Sequence, residues 1–308
     1  MAWHQVTNQS ANDNLASILQ KTKGINILSP TWFYLNDNNG NIASLASSTY
    51  VDYCHQNGIE VWALISNLEN DSVNTAEVLS HTSSRDNLTN NIISAAIQYN
   101  LDGINVDFEA LNADAVGNSY IQFIRELSLK CANNGIVLSV DNYVPSDYTA
   151  FYNRAEQALF ADYVVIMAYD EHYAGSEAGS VASLPFVREA VSDTVALVPS
   201  NQVIVGIPFY TRIWSVSGST TTSRAVGMQD AINELNADGQ TAPWNEEAGQ
   251  YVSSYEKNGV TKKTWFEEDK SVEEKLKVIS EYDVAGIAAW KLGLEKSSVW
   301  SVISSYIR

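Results

Sequence analysis

The chain has 308 residues, 36 acidic against 18 basic side chains, a formal net charge of −18 and only 18% charged residues, fewer than the roughly 25% of an average soluble domain. An acidic balance without a basic run excludes nucleic acid and anionic lipid as main ligands, because both demand clustered Lys and Arg. No apolar run approaches the roughly 20 residues of a membrane span, so a neutral or weakly charged substrate fits best.

Short apolar runs alternate with amphipathic segments, the rhythm of repeated βα units. In chain order the predicted strands are Ala2 to Val6, Ile25 to Pro30, Glu60 to Ile65, Gly103 to Phe108, Val137 to Val140, Tyr163 to Met167, Val203 to Ile207 and Gly286 to Ala289. Helical spacing predicts helices over Arg85 to Tyr99, where Leu88, Ile92, Ala95, Ala96 and Tyr99 recur, and over Tyr120 to Cys131, Leu184 to Leu197, Ser271 to Tyr282 and Ser298 to Ile307. Runs such as Tyr163-Val-Val-Ile-Met167 are wholly apolar, as a parallel strand covered on both faces requires. Eight such strands predict an α/β fold, a closed (β/α)₈ TIM barrel; an open doubly wound sheet is the alternative, since periodicity does not show closure.

Between the seventh and eighth strands, residues 213–269 are rich in Ser, Thr and Asn. A helix is expected at Met228 to Leu235, and a hairpin with strands near Gln250 to Tyr255 and Thr261 to Phe266 turns at Glu256-Lys-Asn-Gly259. This is expected to be a small α+β insertion on the barrel rim, within a single barrel domain spanning residues 1–308.

Cys54 and Cys131 form no Cys-x-x-Cys pattern and read as buried small hydrophobes. His4, His55, His81 and His172 lack metal-ligand spacing and read as structural. A Walker loop, a Gly-x-Gly-x-x-Gly turn and a Gly-x-Ser-x-Gly elbow are all missing. Neither a metal nor an organic cofactor is therefore expected.

The informative segment is Leu101-Asp-Gly-Ile-Asn-Val-Asp-Phe-Glu-Ala110, in which Asn105, Asp107 and Glu109 alternate with Ile104, Val106 and Phe108. On a strand the polar three share one face, and in a barrel the C-terminal strand end meets the active-site mouth. Buried polar groups without partners are costly, so two carboxylates pointing toward a barrel axis need a reason. Neighbouring carboxylates resist joint ionisation, which lets one keep its proton and act as a general acid. Glu109, last on the strand, is the better acid candidate. Solvated or helix-capping acids at a strand end are the competing reading.

This segment resembles the Asp-x-x-Asp-x-Asp-x-Glu signature of family 18 glycoside hydrolases, the chitinases and related N-acetylglucosaminidases. Asp102, Asp107 and Glu109 match it, and Asn105 replaces the middle Asp. Met167-Ala-Tyr-Asp170, Gly206-Ile-Pro-Phe-Tyr210 and Ala289-Trp290 match further motifs after the sixth, seventh and eighth strands. Ser29-Pro-Thr-Trp-Phe33, the Asn variant and Tyr169-Asp-Glu-His172 with Gly179-Ser-Val-Ala-Ser-Leu-Pro185 resemble the bacterial spore-cortex and cell-wall branch.

The resemblance implies retaining, substrate-assisted hydrolysis, in which the substrate's acetamido oxygen attacks the anomeric carbon and no enzyme nucleophile is needed. It implies Glu109 as acid and base, Asp107 as orienter of the acetamido N–H, and Tyr169 as donor to the acetamido oxygen. The expected substrate-binding residues are Asn105, Asp170, Tyr210, Trp290 and Trp32, with Trp290 as an apolar floor and core packing equally open for Trp32 and Tyr210. For Trp214, Trp244 and Trp265 the core reading leads. Asn105 removes one charge from the cluster and leaves the proton accounting around Asp107 open.

The expected partner is an N-acetylated glycan, peptidoglycan before chitin oligomers, bound by a monomer. The rival is a non-catalytic lectin on the same barrel; a metal-dependent deacetylase fits poorly without a His cluster. The opening Met-Ala-Trp-His-Gln-Val has no signal-peptide pattern. An extracellular or wall-associated location therefore expects signal and anchoring modules outside this sequence.

Overall fold

Every predicted parallel strand forms in the structure, a computed structural model that describes residues 1–307. The strands are Ala2–His4, Ile27–Leu35, Glu60–Ser66, Gly103–Asp107, Val137–Tyr143, Tyr163–Met167, Val203–Pro208 and Gly286–Trp290. Each pairs in parallel with its sequence neighbours among these eight, and Ala2 stands opposite both Leu28 and Ala289, which closes the sheet into a barrel. Closure leaves no parallel edge exposed. The sixth and seventh strands are buried almost end to end, which explains their continuous apolar character.

Helices Thr82–Tyr99, Ser119–Asn134, Leu184–Val195 and Asp269–Ser280 lie among those that cover the barrel's outer face. Local chemistry sets their ends. Ser183 accepts a hydrogen bond from the Phe186 amide at the start of Leu184–Val195, with Pro185 in the first turn. Ser119–Asn134 stops at Gly135 with φ 69°, and Thr82–Tyr99 stops at Asn100 with φ 54°; both are left-handed C-caps. Ile124, Leu127 and Cys131 form one buried face of Ser119–Asn134. Cys54 and Cys131 are free and buried.

Between the seventh and eighth barrel strands, Tyr210–Ser217, Thr220–Gly227, Gln250–Lys257, Val260–Phe266 and the short Trp244–Asn245 form a five-stranded antiparallel sheet, joined by helix Met228–Ala237. The sheet begins at Tyr210, which pairs with Gly227, three residues before the irregular interval expected from sequence. The hairpin Tyr210–Gly227 lacks apolar alternation, so its second strand, Thr-Thr-Thr-Ser-Arg-Ala-Val-Gly, reads as a loop. In the other hairpin Asn258 and Gly259 have φ of 53° and 74°, the backbone a two-residue turn demands. A buried polar cluster ties this sheet to helix Asp269–Ser280: Lys275 Nζ donates to Glu267 Oε1 and Oε2 at 2.9 and 3.0 Å, and Gln250 and Ser271 donate to the same carboxylate.

Candidate active site

The period of two along the fourth strand sorts its side chains as expected. Phe108 faces outward, stacked at 5.3 Å on Phe123 of helix Ser119–Asn134, while Asn105 and Asp107 face inward.

Asn105 is fully buried. It accepts from Trp3 Nε1 at 2.9 Å and Ser29 Oγ at 3.0 Å, and donates to Ser139 Oγ at 3.0 Å and Asp141 Oδ1 at 2.7 Å. Those four bonds use the capacity of an amide. The expectation that Asn105 binds substrate is corrected: it lies one layer below the mouth and bonds only to the barrel wall.

Above it, Asp107 has one carboxylate oxygen, Oδ1, enclosed without a hydrogen-bond partner. Burial, then the charges of Asp141, Glu109 and Glu69, holds its carboxyl well above the usual range. Asp141 on the fifth strand was not recognised from sequence. It is 2% exposed, and burial together with Glu109 pushes it up to about 8, against the bond from Asn105. Its signal was partly present: Ser139 and Asp141 alternate with Leu138 and Val140 as Asn105 and Asp107 do with Ile104 and Val106, but polar Asn142 breaks the pattern.

Glu109 is half-buried where the fourth strand opens into its loop. Asn67, from the loop after the third strand, grips its backbone: the Glu109 amide donates to Asn67 Oδ1 at 2.8 Å, and Asn67 Nδ2 donates to the Glu109 carbonyl at 2.9 Å. The next residue, Ala110, has φ 52°, a left-handed conformation that a residue with a Cβ holds only where its surroundings impose it; its amide donates to Tyr143 Oη at 3.2 Å. Burial raises the pKa of Glu109, hydrogen bonding from Tyr143 opposes the rise, and the charges of Asp170 and Glu69 add to it.

Tyr169 follows the sixth strand, its ring edge-on to Trp3 and Tyr210 with centroids 6.4 Å apart in each case. Burial and the acids around it keep its hydroxyl protonated, hence a donor. Asp170, at φ 56°, accepts a bond from the Tyr210 hydroxyl, and Arg212 Nε lies 4.0 Å from its Oδ1. Trp290 ends the eighth strand half-buried, 5.9 Å from the Trp3 ring.

Not all expected residues gather here. Trp32 is fully enclosed, donating to Asn12 Oδ1 at 2.8 Å and packed edge-on against Tyr50 at 4.9 Å; its assignment to the groove is corrected to core. Asp102 sits at the opposite barrel end, bonded to His55 Nε2 at 2.8 Å and the Val61 amide at 2.7 Å. Trp214 is enclosed and donates to the Gly179 carbonyl at 2.9 Å. Among the described residues no group of three or more His, Cys, Asp or Glu is placed to hold a metal ion.

The strand ends thus bring together a carboxyl whose pKa burial raises, a buried acid pair beneath it, a protonated phenol and an indole face. That set can protonate a leaving oxygen and oppose a developing positive charge.

The family model for glycosyl hydrolases family 18 matches residues 3–295. The chain is 30% identical over 282 residues to the uncharacterized glycosylase YvbX of Bacillus subtilis (strain 168), covering 87% of this chain and 80% of that protein. It is 26% identical over 254 residues to the cortical fragment-lytic enzyme of the same organism, covering 78% of this chain and 58% of that protein. Among solved structures, the Bacillus megaterium QM B1551 spore cortex-lytic enzyme SleL matches with TM-score 0.87 and 22% identity, over 100% of this chain and 73% of that one; this likeness is one of fold.

Proposed function

Because the chain belongs to the glycosyl hydrolases of family 18, we propose that it cleaves β-1,4-linked N-acetylglucosaminyl bonds of peptidoglycan, and secondarily of chitin oligomers, with retention of configuration and with the substrate's acetamido group as nucleophile. The observation that carries this reading is Glu109, held by Asn67 at the end of the fourth strand with its pKa raised by burial. A carboxyl whose pKa is raised holds its proton more tightly and can donate it to a glycosidic oxygen.

Glu109 protonates the leaving oxygen as the anomeric C–O bond breaks, then takes a proton from the water that opens the intermediate. Asp107 accepts from the acetamido N–H and opposes the positive charge that forms on the oxazolinium ring. Tyr169 donates its hydroxyl to the acetamido oxygen and steers it toward the anomeric carbon. Asp170, braced by Tyr210, holds the sugar, and Trp290 supplies the apolar surface beneath it. The cortical fragment-lytic name of one relative supports peptidoglycan as the preferred polymer and an extracellular or wall-associated place of action.

The test is incubation with purified peptidoglycan and with chitooligosaccharides, followed by mass spectrometry. Products ending in reducing N-acetylglucosamine are expected, initially as the β-anomer by NMR. Glu109→Gln is expected to keep its circular dichroism and lose hydrolysis; activity above about 1% of the parent would remove Glu109 from the acid role. Glycan binding without new reducing ends would make the protein a lectin.

A further inference from the structure

One buried carboxyl at the mouth has no part in that scheme. Asp141, 2% exposed, shares with Asp107 the inward face of neighbouring strands. Asn105 stands opposite Ser139 and Val106 opposite Val140, so two residues further up, Asp107 and Asp141 come side by side. One layer below, Asn105 Nδ2 donates to Asp141 Oδ1 at 2.7 Å and to Ser139 Oγ at 3.0 Å, while Asp107 Oδ1 is enclosed without a partner. The titratable groups that interact with the pair are Glu109 just past the fourth strand, Glu69 from the loop after the third, Tyr169 after the sixth, Tyr152 after the fifth and, from the outer side, Tyr120 of helix Ser119–Asn134. Every charged group among them is acidic. Two carboxylates in such an enclosure resist joint ionisation, because each charge loses its hydration and repels the other.

We propose that Asp141 is a positioning residue that shares one proton with Asp107, carrying it while Asp107 faces the acetamido N–H, so that the pair keeps a single negative charge. The usual family motif has an acid two residues before Asp107; here that position is Asn105, and the acid stands on the next strand, joined to Asn105 by the 2.7 Å bond. Charge then balances through the cycle. The bonding pair of the broken C–O bond goes to the leaving oxygen, which takes the Glu109 proton. A lone pair of the acetamido oxygen bonds the anomeric carbon. The resulting positive oxazolinium faces the single charge on Asp107, and the Asp141 proton stays in place while water restores Glu109.

This inference rests on the function proposed above, and its first test needs no activity. Carboxyl carbons of aspartate are labelled with ¹³C and titrated by NMR in the parent, Asp107→Asn and Asp141→Asn proteins. The parent is expected to show two coupled steps at least about two pH units apart, and each variant a single step at a different pH. Should Asp141→Asn not fold, the exchanged protein Asn105→Asp/Asp141→Asn carries the test and is expected to show two coupled steps again. Asp107 titrating at one pH with or without its acidic neighbour overturns the proposal.

The second test is the pH profile of kcat. Leucine at 141 cannot donate to the Asp107 anion, whereas an asparagine amide can. Asp141→Leu is therefore expected to have kcat at least about tenfold below Asp141→Asn and an acidic limb raised by about one pH unit or more. Equal kcat values and an unmoved limb, with only a lower melting temperature, would make Asp141 a scaffold residue and overturn the proposal. A parent enzyme inactive on both glycans sinks the proposed function, and the NMR titration still decides whether the proton is shared.

Discussion

Glu109 can serve as an acid only if its carboxyl is aimed the same way in every molecule. The Asn67 side chain provides that aim by bonding both the amide and the carbonyl of Glu109, while a third contact to Thr75 Oγ1 at 3.2 Å holds Asn67 itself. Asn67→Ala is expected to lower kcat by about 10- to 100-fold with KM little changed, because small misplacements of a catalytic group cost that much; steady-state kinetics beside an unchanged circular dichroism spectrum would check it. The alternation of Leu101 to Ala110 was enough to single out Asp107 and Glu109 from sequence. Asn67 was not legible, because nothing in Ile65-Ser-Asn-Leu-Glu69 marks it as the partner of a backbone on another strand. Asn105 was misplaced for a related reason: alternation along a strand assigns a side chain to a face, and says nothing of its depth below the mouth; for Trp32 core packing was equally open, and only its enclosure decided the matter.

At the scale of elements, the barrel strands were legible because each is an apolar run bounded by turns, and the inserted hairpin Tyr210–Gly227 was not, because its stability comes from pairing within a five-stranded sheet. The joint between that sheet and helix Asp269–Ser280 rests on one buried ion pair, Lys275 with Glu267, whose side chains are 1% and 0% exposed. Removing one partner leaves an uncompensated buried charge. Glu267→Ala is expected to destabilise the fold by about 3–5 kcal/mol, seen as a lower denaturant midpoint. The double replacement Glu267→Met/Lys275→Met should recover part of that loss, since it buries no lone charge.

For the whole molecule, the raised acids make stability depend on pH. Asp107, Glu109, Asp141 and Glu267 all bind protons more tightly in the folded chain. Their contribution is fully present below the unfolded pKa of about 4 and is lost as pH rises through their folded values, about 8 for Asp141. His4 acts oppositely: burial lowers its folded pKa to about 4, so its contribution is lost as pH falls below the ordinary imidazole value of 6.5. Above that value the four raised acids are opposed by the buried Met1 amino group, whose pKa burial lowers to about 5; with four acids against one amine, the melting temperature is expected to fall between roughly pH 6.5 and 8. Scanning calorimetry should show a shallower fall in Asp141→Asn, by up to about 1 kcal/mol per pH unit. The net charge of −18 adds repulsion in the same direction and does nothing to attract a partly anionic wall polymer.

The sequence by itself determined eight βα units, the polar face of the fourth strand and a candidate for the acid, because periodicity and residue chemistry are local properties. Only the tertiary structure decided that Asn105 is a wall residue, that Asn67 grips Glu109 and that Asp141 stands beside Asp107. Each of those relations joins residues more than 30 positions apart, and strand register, which brings such residues together, is set by closure of the whole barrel.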